Sequence, residues 1–240
     1  MLRIFPEQLH IIDDRVVFSE SYHHIKNVIR LKTDDRMELI YNGNLFLIEI
    51  ESFIIKKKEI SGRIIKKSIV PDICSGVKIA ITPVKHRFDE AIENMCQLPI
   101  DKIIPFYSDH SIIRYDNKKE KKLLDRWRNI SKSSAMQSRA GKIVDIDSIS
   151  SFDNIVLMKG VYKIAFSIVK DCRNIRELSN EIMNRDVLAI IGPEGDFSSN
   201  EKNIFENMGI PVVRLSGNIL RTGNAGVIIS TILLYMKGKI

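Results

Sequence analysis

Two stretches near the C-terminus combine the residue types that could cradle a ligand. They are Ile190-Ile191-Gly192-Pro193-Glu194-Gly195-Asp196-Phe197-Ser198 and Leu215-Ser216-Gly217-Asn218-Ile219-Leu220-Arg221-Thr222. The first follows an uninterrupted β run, Val187 to Ile191, and leads into Ser198-Ser199-Asn200-Glu201, a Ser-x-x-Glu capping box that opens a helix. A strand, a tight Gly-Pro-Glu-Gly turn and a capped helix leave backbone N–H groups at the carboxyl end of a sheet, where α/β proteins hold ligands. The second repeats the plan, with Val212 to Leu215, a Gly-containing loop and the apolar stretch Ala225 to Met236. Two such loops close together suggest one ligand held between them. The plainer reading is two ordinary strand-to-helix connections in which Gly only permits positive φ.

Basic residues form the next pattern. Lys118, Lys119, Lys121, Lys122, Arg126, Arg128, Lys132, Arg139 and Lys142 lie within one stretch that holds only Glu120 and Asp125 as acids. Leu123, Leu124, Trp127, Ile130 and Met136 supply an apolar stripe, so the cations take the exposed face. A second cluster, Lys56, Lys57, Lys58, Arg63, Lys66 and Lys67, lies earlier in the chain. Either cluster alone reads as a solvated face. Together they point to a track for a polyanion, where phosphate contacts give affinity and register. The net charge of +7 agrees with that.

The elements that must position these residues fall into two textures. Residues 1–70 carry β signals, the clearest being a hairpin of Arg36 to Tyr41 and Leu45 to Ser52 around Asn42-Gly43-Asn44. Short strands continue at Ile54-Ile55, Ile60 and Arg63 to Lys67, broken at Gly62, with one helical stretch at His23 to Arg30, which suggests a compact barrel. Pro71-Asp72 marks the boundary. Residues 71–240 then alternate: strand 77–82, helix 86–98, strand 102–105, helix 119–138, strand 155–158, a helix around 174–183, strand 187–191, helix 199–208, strand 212–215 and a terminal helix. Such alternation predicts an α/β domain with a parallel sheet covered on both faces.

Composition narrows the class. Hydrophobic residues at 44% and charged residues at 28% describe a globular chain. Cys74, Cys96 and Cys172 form neither a disulfide framework nor a Cys-x-x-Cys zinc pair, which predicts a reducing compartment. No signal-peptide h-region opens the chain, and Ala225 to Met236 is too short to span a bilayer, so a cytoplasmic protein without membrane contact is expected. His23 and His24 lack an acidic partner nearby, and no metal site is expected. Neither Gly-x-Gly-x-x-Gly nor a Walker loop is present, which argues against nicotinamide and nucleoside-triphosphate chemistry.

The wording of the two loops goes further. Ile191-Gly192-Pro193-Glu194-Gly195 with Phe197-Ser198 and Glu201, followed by Ile219-Leu220-Arg221-Thr222 and Ala225, resembles the knotted RNA methyltransferases of the SPOUT superfamily. It is most similar to the ribosomal RNA small subunit methyltransferase E family, which methylates N3 of a uridine in 16S ribosomal RNA. Lys85 to Glu90, Arg126-Trp127 with Ile130, Gln137-Ser138-Arg139, and His23-His24-Ile25 with Val28-Ile29-Arg30 resemble further family segments, so the likeness spans essentially the whole chain. It implies a PUA-like RNA-binding β-barrel over 1–70 and a SPOUT-type domain with a parallel sheet and deep trefoil knot over 71–240. S-adenosylmethionine would be the methyl donor, 16S ribosomal RNA or the small subunit the substrate, and the enzyme a homodimer. By the same resemblance Ile191, Gly192, Pro193, Glu194, Gly195, Leu215, Ile219, Leu220 and Arg221 would hold the donor and Arg30 would lie on the RNA-binding barrel, while the charge cluster adds Lys118, Lys119, Lys121, Lys122 and Arg126 as RNA contacts.

Departures are equally specific. The family's Gly-Gly is Gly195-Asp196 here, its Glu-Thr pair is Gly223-Asn224, and its Glu-Gln-Ser is Met136-Gln137-Ser138. They leave a second class open, a catalytically weakened RNA- or ribosome-binding protein that keeps the fold. For catalysis, the uracil imide is a poor nucleophile until deprotonated, so developing negative charge needs paired donors. Arg139, next to the basic helix, is the first candidate. Glu194 is read either as a base or anchor or as a structural member of its turn, and Arg221 either as a phosphate ligand or as a brace.

Overall fold

The computed structural model describes residues 1–70, 74–168, 172–215 and 220–240. The expected boundary at Pro71-Asp72 lies outside the described residues. The chain divides into two compact units, one of Met1–Ile73 with Ala135–Lys142 and one of Cys74–Ser134 with Ile143–Ile240.

The first unit is a six-stranded sheet. Its strands are β1 (Arg3–Ile4), β2 (His10–Ile12), β3 (Arg15–Phe18), β4 (Arg36–Tyr41), β5 (Asn44–Ile54) and β6 (Glu59–Ile69), in the order β1-β4-β5-β6-β3-β2. The β4–β5 hairpin closes on Tyr41 opposite Asn44, with Asn42 and Gly43 at φ 46° and 71°. Both values are positive, as a two-residue turn matched to strand twist requires. Where the sequence predicts short strands broken at Gly62, the structure has one long β6. A Cβ on Gly62 would lie 2.9 Å from the Glu49 carbonyl oxygen, so Gly here lets β5 and β6 approach where their register shifts. The helical stretch near His23 is a π-helical segment, His24–Ile29, that ends in Arg30 at φ 63°.

Alternation along the strands sends Val16, Phe18, Met37, Leu39, Phe46, Ile48, Ile50 and Ile60 into one core, joined by Ile25. Each such side chain contributes on the order of 1.5–3 kcal/mol by leaving water. Met136 packs on that core, so the segment at 135–142 groups with the first unit rather than with the second domain predicted for it. Arg3 anchors the segment. Its guanidinium donates to the carbonyls of Arg139 and Ala140 and pairs with Glu38 at 2.9 Å.

The second unit is a parallel sheet of β7 (Val77–Ile81), β8 (Lys102–Tyr107), β9 (Asp145–Ile146), β10 (Ser150–Ser151), β11 (Tyr162–Phe166), β12 (Val187–Ile191) and β13 (Val212–Val213). The order is β10-β8-β7-β12-β11-β13, with β9 also on β8. Helices α1 (Phe88–Cys96), α2 (Asn117–Ser138), α3 (Phe152–Leu157), α4 (Ser179–Asn184), α5 (Ser199–Asn207) and α6 (Thr222–Met236) connect the strands. Odd positions of the central strands, such as Ile79, Ala189 and Ile191, pack with Ile92, Trp127, Ile182 and Leu233. Even positions, such as Ala80, Leu188 and Ile190, pack with Ile155, Phe197 and Phe205. Both faces are therefore covered, and all five residues of β12 are buried.

In the second unit one expected strand is a helix. Residues 155–158, read as a strand, lie in and just past helix α3. The apolar run Ile155-Val156-Leu157-Met158 is too short for periodicity to separate helix from strand. The local cap decides it, because the Ser151 hydroxyl accepts from the Asn154 N–H at 3.2 Å. The strand that belongs in the sheet is β11, Tyr162–Phe166, whose final residue opens onto the site.

Candidate active site

The carboxyl ends of β11, β12 and β13 converge with the start of α6 around a cavity of about 270 Å³. Its apolar lining comes from Phe166, Ile191, Leu215, Leu220, Ala225 and Ile229. Polar groups come from Ser167, Glu194, Asp196, Arg214, Arg221 and Thr222. A mostly apolar cleft with a few convergent polar groups at strand carboxyl ends is the form that ligand sites take in parallel sheets.

Local chemistry explains why the turn after β12 holds its shape. A Cβ on Gly192 would sit 3.0 Å from the Phe197 ring, so the ring occupies the space any side chain would need. Phe197 is held in turn by Phe205 at 4.9 Å between centroids, edge to face. The Thr222 hydroxyl donates to the Gly192 carbonyl at 3.3 Å, tying the start of α6 to this turn. The Asp196 N–H bonds the Pro193 carbonyl at 3.0 Å, and Asp196 itself adopts φ 59°. Asp is among the few residues that tolerate such a left-handed backbone.

Asp196 is more than a substitute for glycine. Its buried carboxylate accepts from the Ser167 hydroxyl at 2.9 and 2.7 Å and pairs with Lys202 at 2.8 Å. It thereby fastens the residue after β11 to the turn after β12. His110 Nδ1–H donates to the carbonyls of Gly195 and Asp196 at 3.2 and 3.0 Å, the tautomer that two acceptors require.

The capping box is present with an added role. Ser198 caps α5 and the Glu201 carboxylate returns to the Ser198 N–H at 2.9 Å. Glu201 is buried and also accepts from the Ser108 hydroxyl and the Asp109 N–H, both at 3.0 Å. One carboxylate with three donors therefore joins the loop after β8 to the turn that borders the cavity.

Of the residues expected at this site, Ile191, Gly192, Pro193, Glu194, Leu215, Leu220 and Arg221 line the cavity. Gly195 does not; the nearest atoms a Cβ there would meet belong to His110, at an ordinary 3.6 Å. Ile219 lies outside the described residues. Ser167 and Arg214 are additions to the expected set, and Asp196 and Thr222 belong to the expected stretches but not to the residues assigned to the donor. Ser167 follows β11, a strand without a clear periodic signal, and Asp196 stands in the sequence as a departure from the family pattern. Arg139 belongs to the first unit, where it adopts φ 56° and reaches Glu38 at 3.5 Å. Burial works against the Glu38 carboxylate, but the hydrogen bond and charge of Arg3, helped by Arg139, hold its pKa below the usual carboxylate range.

The basic residues of α2 border a groove of about 940 Å³ lined by Lys118, Lys119, Lys122 and Arg126. Glu93, Asp116 and Asp125 also line it, so the groove is mixed in charge. Lys121 is exposed but is not among the lining residues, and Arg126 is ion-paired to Asp89. The same Asp89 accepts from the buried Trp127 indole at 3.0 Å. Tyr107 sets the start of the helix. It donates to Glu120 at 2.8 Å and accepts from the Tyr115 N–H at 3.0 Å, and burial pushes its pKa up to about 12. In the first unit Arg30 is exposed at its positive-φ cap. Among the described residues no cluster of His, Cys, Asp or Glu is arranged to hold a metal, and no helix is long and apolar enough to cross a membrane.

Comparison with known proteins places this geometry. Residues 74–234 match the family described as RNA methyltransferase domain. Ribosomal RNA small subunit methyltransferase E of Buchnera aphidicola subsp. Schizaphis graminum is 29% identical over 99% of this chain and 97% of its own. The protein of that name from Mesomycoplasma hyopneumoniae is 26% identical over 88% and 89%. Among solved structures, a ribosomal RNA small subunit methyltransferase E from Neisseria gonorrhoeae bound to S-adenosyl methionine superposes with a TM-score of 0.83. It is 18% identical and covers 98% of each chain, so it attests the fold. A Legionella pneumophila protein in complex with bound cofactor SAM gives 0.84 at 22% identity, covering 97% and 96%.

Proposed function

Since the chain belongs to the RNA methyltransferase domain family, we propose that it methylates N3 of a uridine in 16S ribosomal RNA, using S-adenosylmethionine as donor. The observation that carries this reading is the cavity at the ends of β11, β12 and β13, lined by the two loops that the family resemblance singles out. The donor brings an electrophilic methyl on a sulfonium.

The residues present suit such a group. Leu215, Leu220, Ile191 and Ala225 offer apolar surface for an adenine, and Gly192 keeps the backbone bare where the Phe197 ring leaves no room for a side chain. Glu194 provides a carboxylate for a cationic centre or a ribose hydroxyl. Arg214 and Arg221 provide cations for a carboxylate.

Catalysis then asks the chain to orient the acceptor and to move one proton. Glu194 is exposed at the cavity rim and takes the N3 proton; Arg221, beside it, balances charge on the ring. Arg139 is retained as a further candidate for that second task. Around this centre the reading includes a PUA-like barrel in the first unit, a trefoil knot in the second, homodimeric assembly and a cytoplasmic setting. The Buchnera and Mesomycoplasma relatives, which carry the name ribosomal RNA small subunit methyltransferase E and match over 97% and 89% of their lengths, support a small-subunit RNA as substrate.

The test is transfer of a labelled methyl from the donor to small subunits isolated from a strain that lacks the gene. Incorporation into 16S RNA is expected. Binding of those subunits with no incorporation would instead identify the weakened RNA-binding protein that the Gly223-Asn224 departure left open.

A further inference from the structure

A second cavity, of about 640 Å³, lies on the other side of Glu194, Leu220, Arg221 and Thr222, the four residues it shares with the first. Its remaining lining comes from the approach to α1, from α1 itself and from the first turn of α6, and it includes His86, Arg87, Asn94 and Asn224. We propose that this cavity receives the acceptor uridine, with Asn94 and Asn224 contacting the base and His86 and Arg87 the phosphate. The proposal rests on the methyltransferase reading above and assigns the half of the site that the donor does not fill.

Four observations carry it. Two cavities with a common wall are what a two-substrate transfer needs, because donor and acceptor must meet at near-attack distance without sharing a pocket. The common wall holds the side chains such a transfer uses, a carboxylate and a guanidinium. The second cavity is the more polar, matching a nucleotide rather than an adenine slot. Uracil N3 lies between two carbonyl oxygens, so a site that presents N3 to the wall needs N–H donors for O2 and O4. The carboxamides of Asn94 and Asn224 are exposed in the cavity and carry such donors.

At the wall the chemistry balances. The N3 proton passes to the Glu194 carboxylate and the N3 lone pair forms the new C–N bond. The C–S bond breaks with its electrons remaining on sulfur, which becomes neutral. Among the described residues Arg87 pairs with Glu90, at 2.8 Å in an exposed i,i+3 contact weak enough for a phosphate to replace.

The Gly223-Asn224 departure also acquires a meaning. A Cβ on Gly223 would stand 2.9 Å from the Ala91 Cβ, so in this chain the position serves the close approach of α6 to α1. Its neighbour Asn224 then faces the acceptor cavity.

The test uses the full chain and small subunits from a strain lacking the gene, comparing wild type with Asn94→Ala/Asn224→Ala and with His86→Ala. For each protein, kcat, KM for subunits and affinity for S-adenosylhomocysteine by calorimetry are measured. The double variant should lose about 10²-fold in kcat/KM, the scale of removing an oxyanion donor. Its S-adenosylhomocysteine affinity should stay within about twofold of wild type, which also certifies folding. His86→Ala should raise KM and leave kcat. Asn94→Asp/Asn224→Asp, of the same shape but with an acceptor in place of each donor, should lose transfer as the alanine pair does. Wild-type kcat/KM in both double variants would overturn the proposal, and so would a parallel loss of S-adenosylhomocysteine affinity. A wild-type chain that transfers no methyl would contradict the underlying reading and take the acceptor assignment with it.

Discussion

Gly192 and Gly195 occupy one turn and differ in what surrounds them. Gly192 has the Phe197 ring 3.0 Å from where a Cβ would go, and Phe197 is locked by Phe152 and Phe205. Gly192→Val should therefore move the turn and weaken S-adenosylhomocysteine binding by tenfold or more, whereas Gly195→Ala should bind as wild type does. Calorimetry that finds equal affinity in Gly192→Val and wild type would remove this turn from the donor site. Arg139 poses the second question at this scale. If it stabilises charge on the uracil, its effect resides in the transition state. Arg139→Ala should then lower the single-turnover methylation rate by about 10²-fold while donor and RNA affinities hold, and Lys should rescue only in part. A wild-type rate at saturating RNA would reduce Arg139 to its observed partner, Glu38. Gly192, Glu194 and Arg221 were legible through the likeness of their two loops to a known family, since a strand-to-helix turn favours glycine but requires neither Glu nor Arg. It did not reveal the tie from Ser167 to Asp196, since a contact between residues 167 and 196 has no local pattern.

Elements hold these residues through a few buried ties. In the first unit, Arg3 and Arg139 converge on Glu38 and hold its carboxyl below its ordinary pKa. The favourable state is the ionised one. Its contribution is fully present above the unfolded carboxylate pKa and is lost as pH falls through the lower folded value. Glu38→Gln should accordingly cost about 1.5–3 kcal/mol near pH 7, the worth of hydrogen bonds to a charged group. Urea titrations should show the deficit closing as pH drops through the acid range; a deficit equal at pH 7 and pH 3 would refute the ion pair's role. Along α2, Lys118 and Lys122 line the groove and Lys121 is exposed beside it. Replacing all three by Gln should weaken RNA binding and lower the salt slope by about 2, at roughly 0.7 per phosphate on single strands. An unaltered slope would leave them as a solvated face. Most of these elements could be read from periodicity, including α2, β12 and the Asn42-Gly43 hairpin. The helix at 152–157 could not, because its four apolar residues fit either period and only the Ser151 cap settles the matter. Gly62 misled for a related reason. A glycine inside a strand signals a break or a close approach, and the distinction lies in Glu49 on the neighbouring strand.

At the scale of the whole molecule, the carboxyl ends of a parallel sheet hold two adjoining cavities, which we assign to a methyl donor and its acceptor. Family membership rests on residues 74–234, while similarity to the Buchnera relative runs across 99% of the chain. Both classes that the sequence left open, enzyme and RNA-binding protein, predict that small subunits bind. They part on chemistry alone. The decisive measurement is mass spectrometry of nucleosides from 16S RNA after small subunits lacking the modification are incubated with the protein and S-adenosylmethionine. N3-methyluridine should approach one per 16S molecule and be absent when the donor is omitted. Subunits that bind the protein but yield no methylated nucleoside, or that carry the new methyl on any other atom, would contradict it.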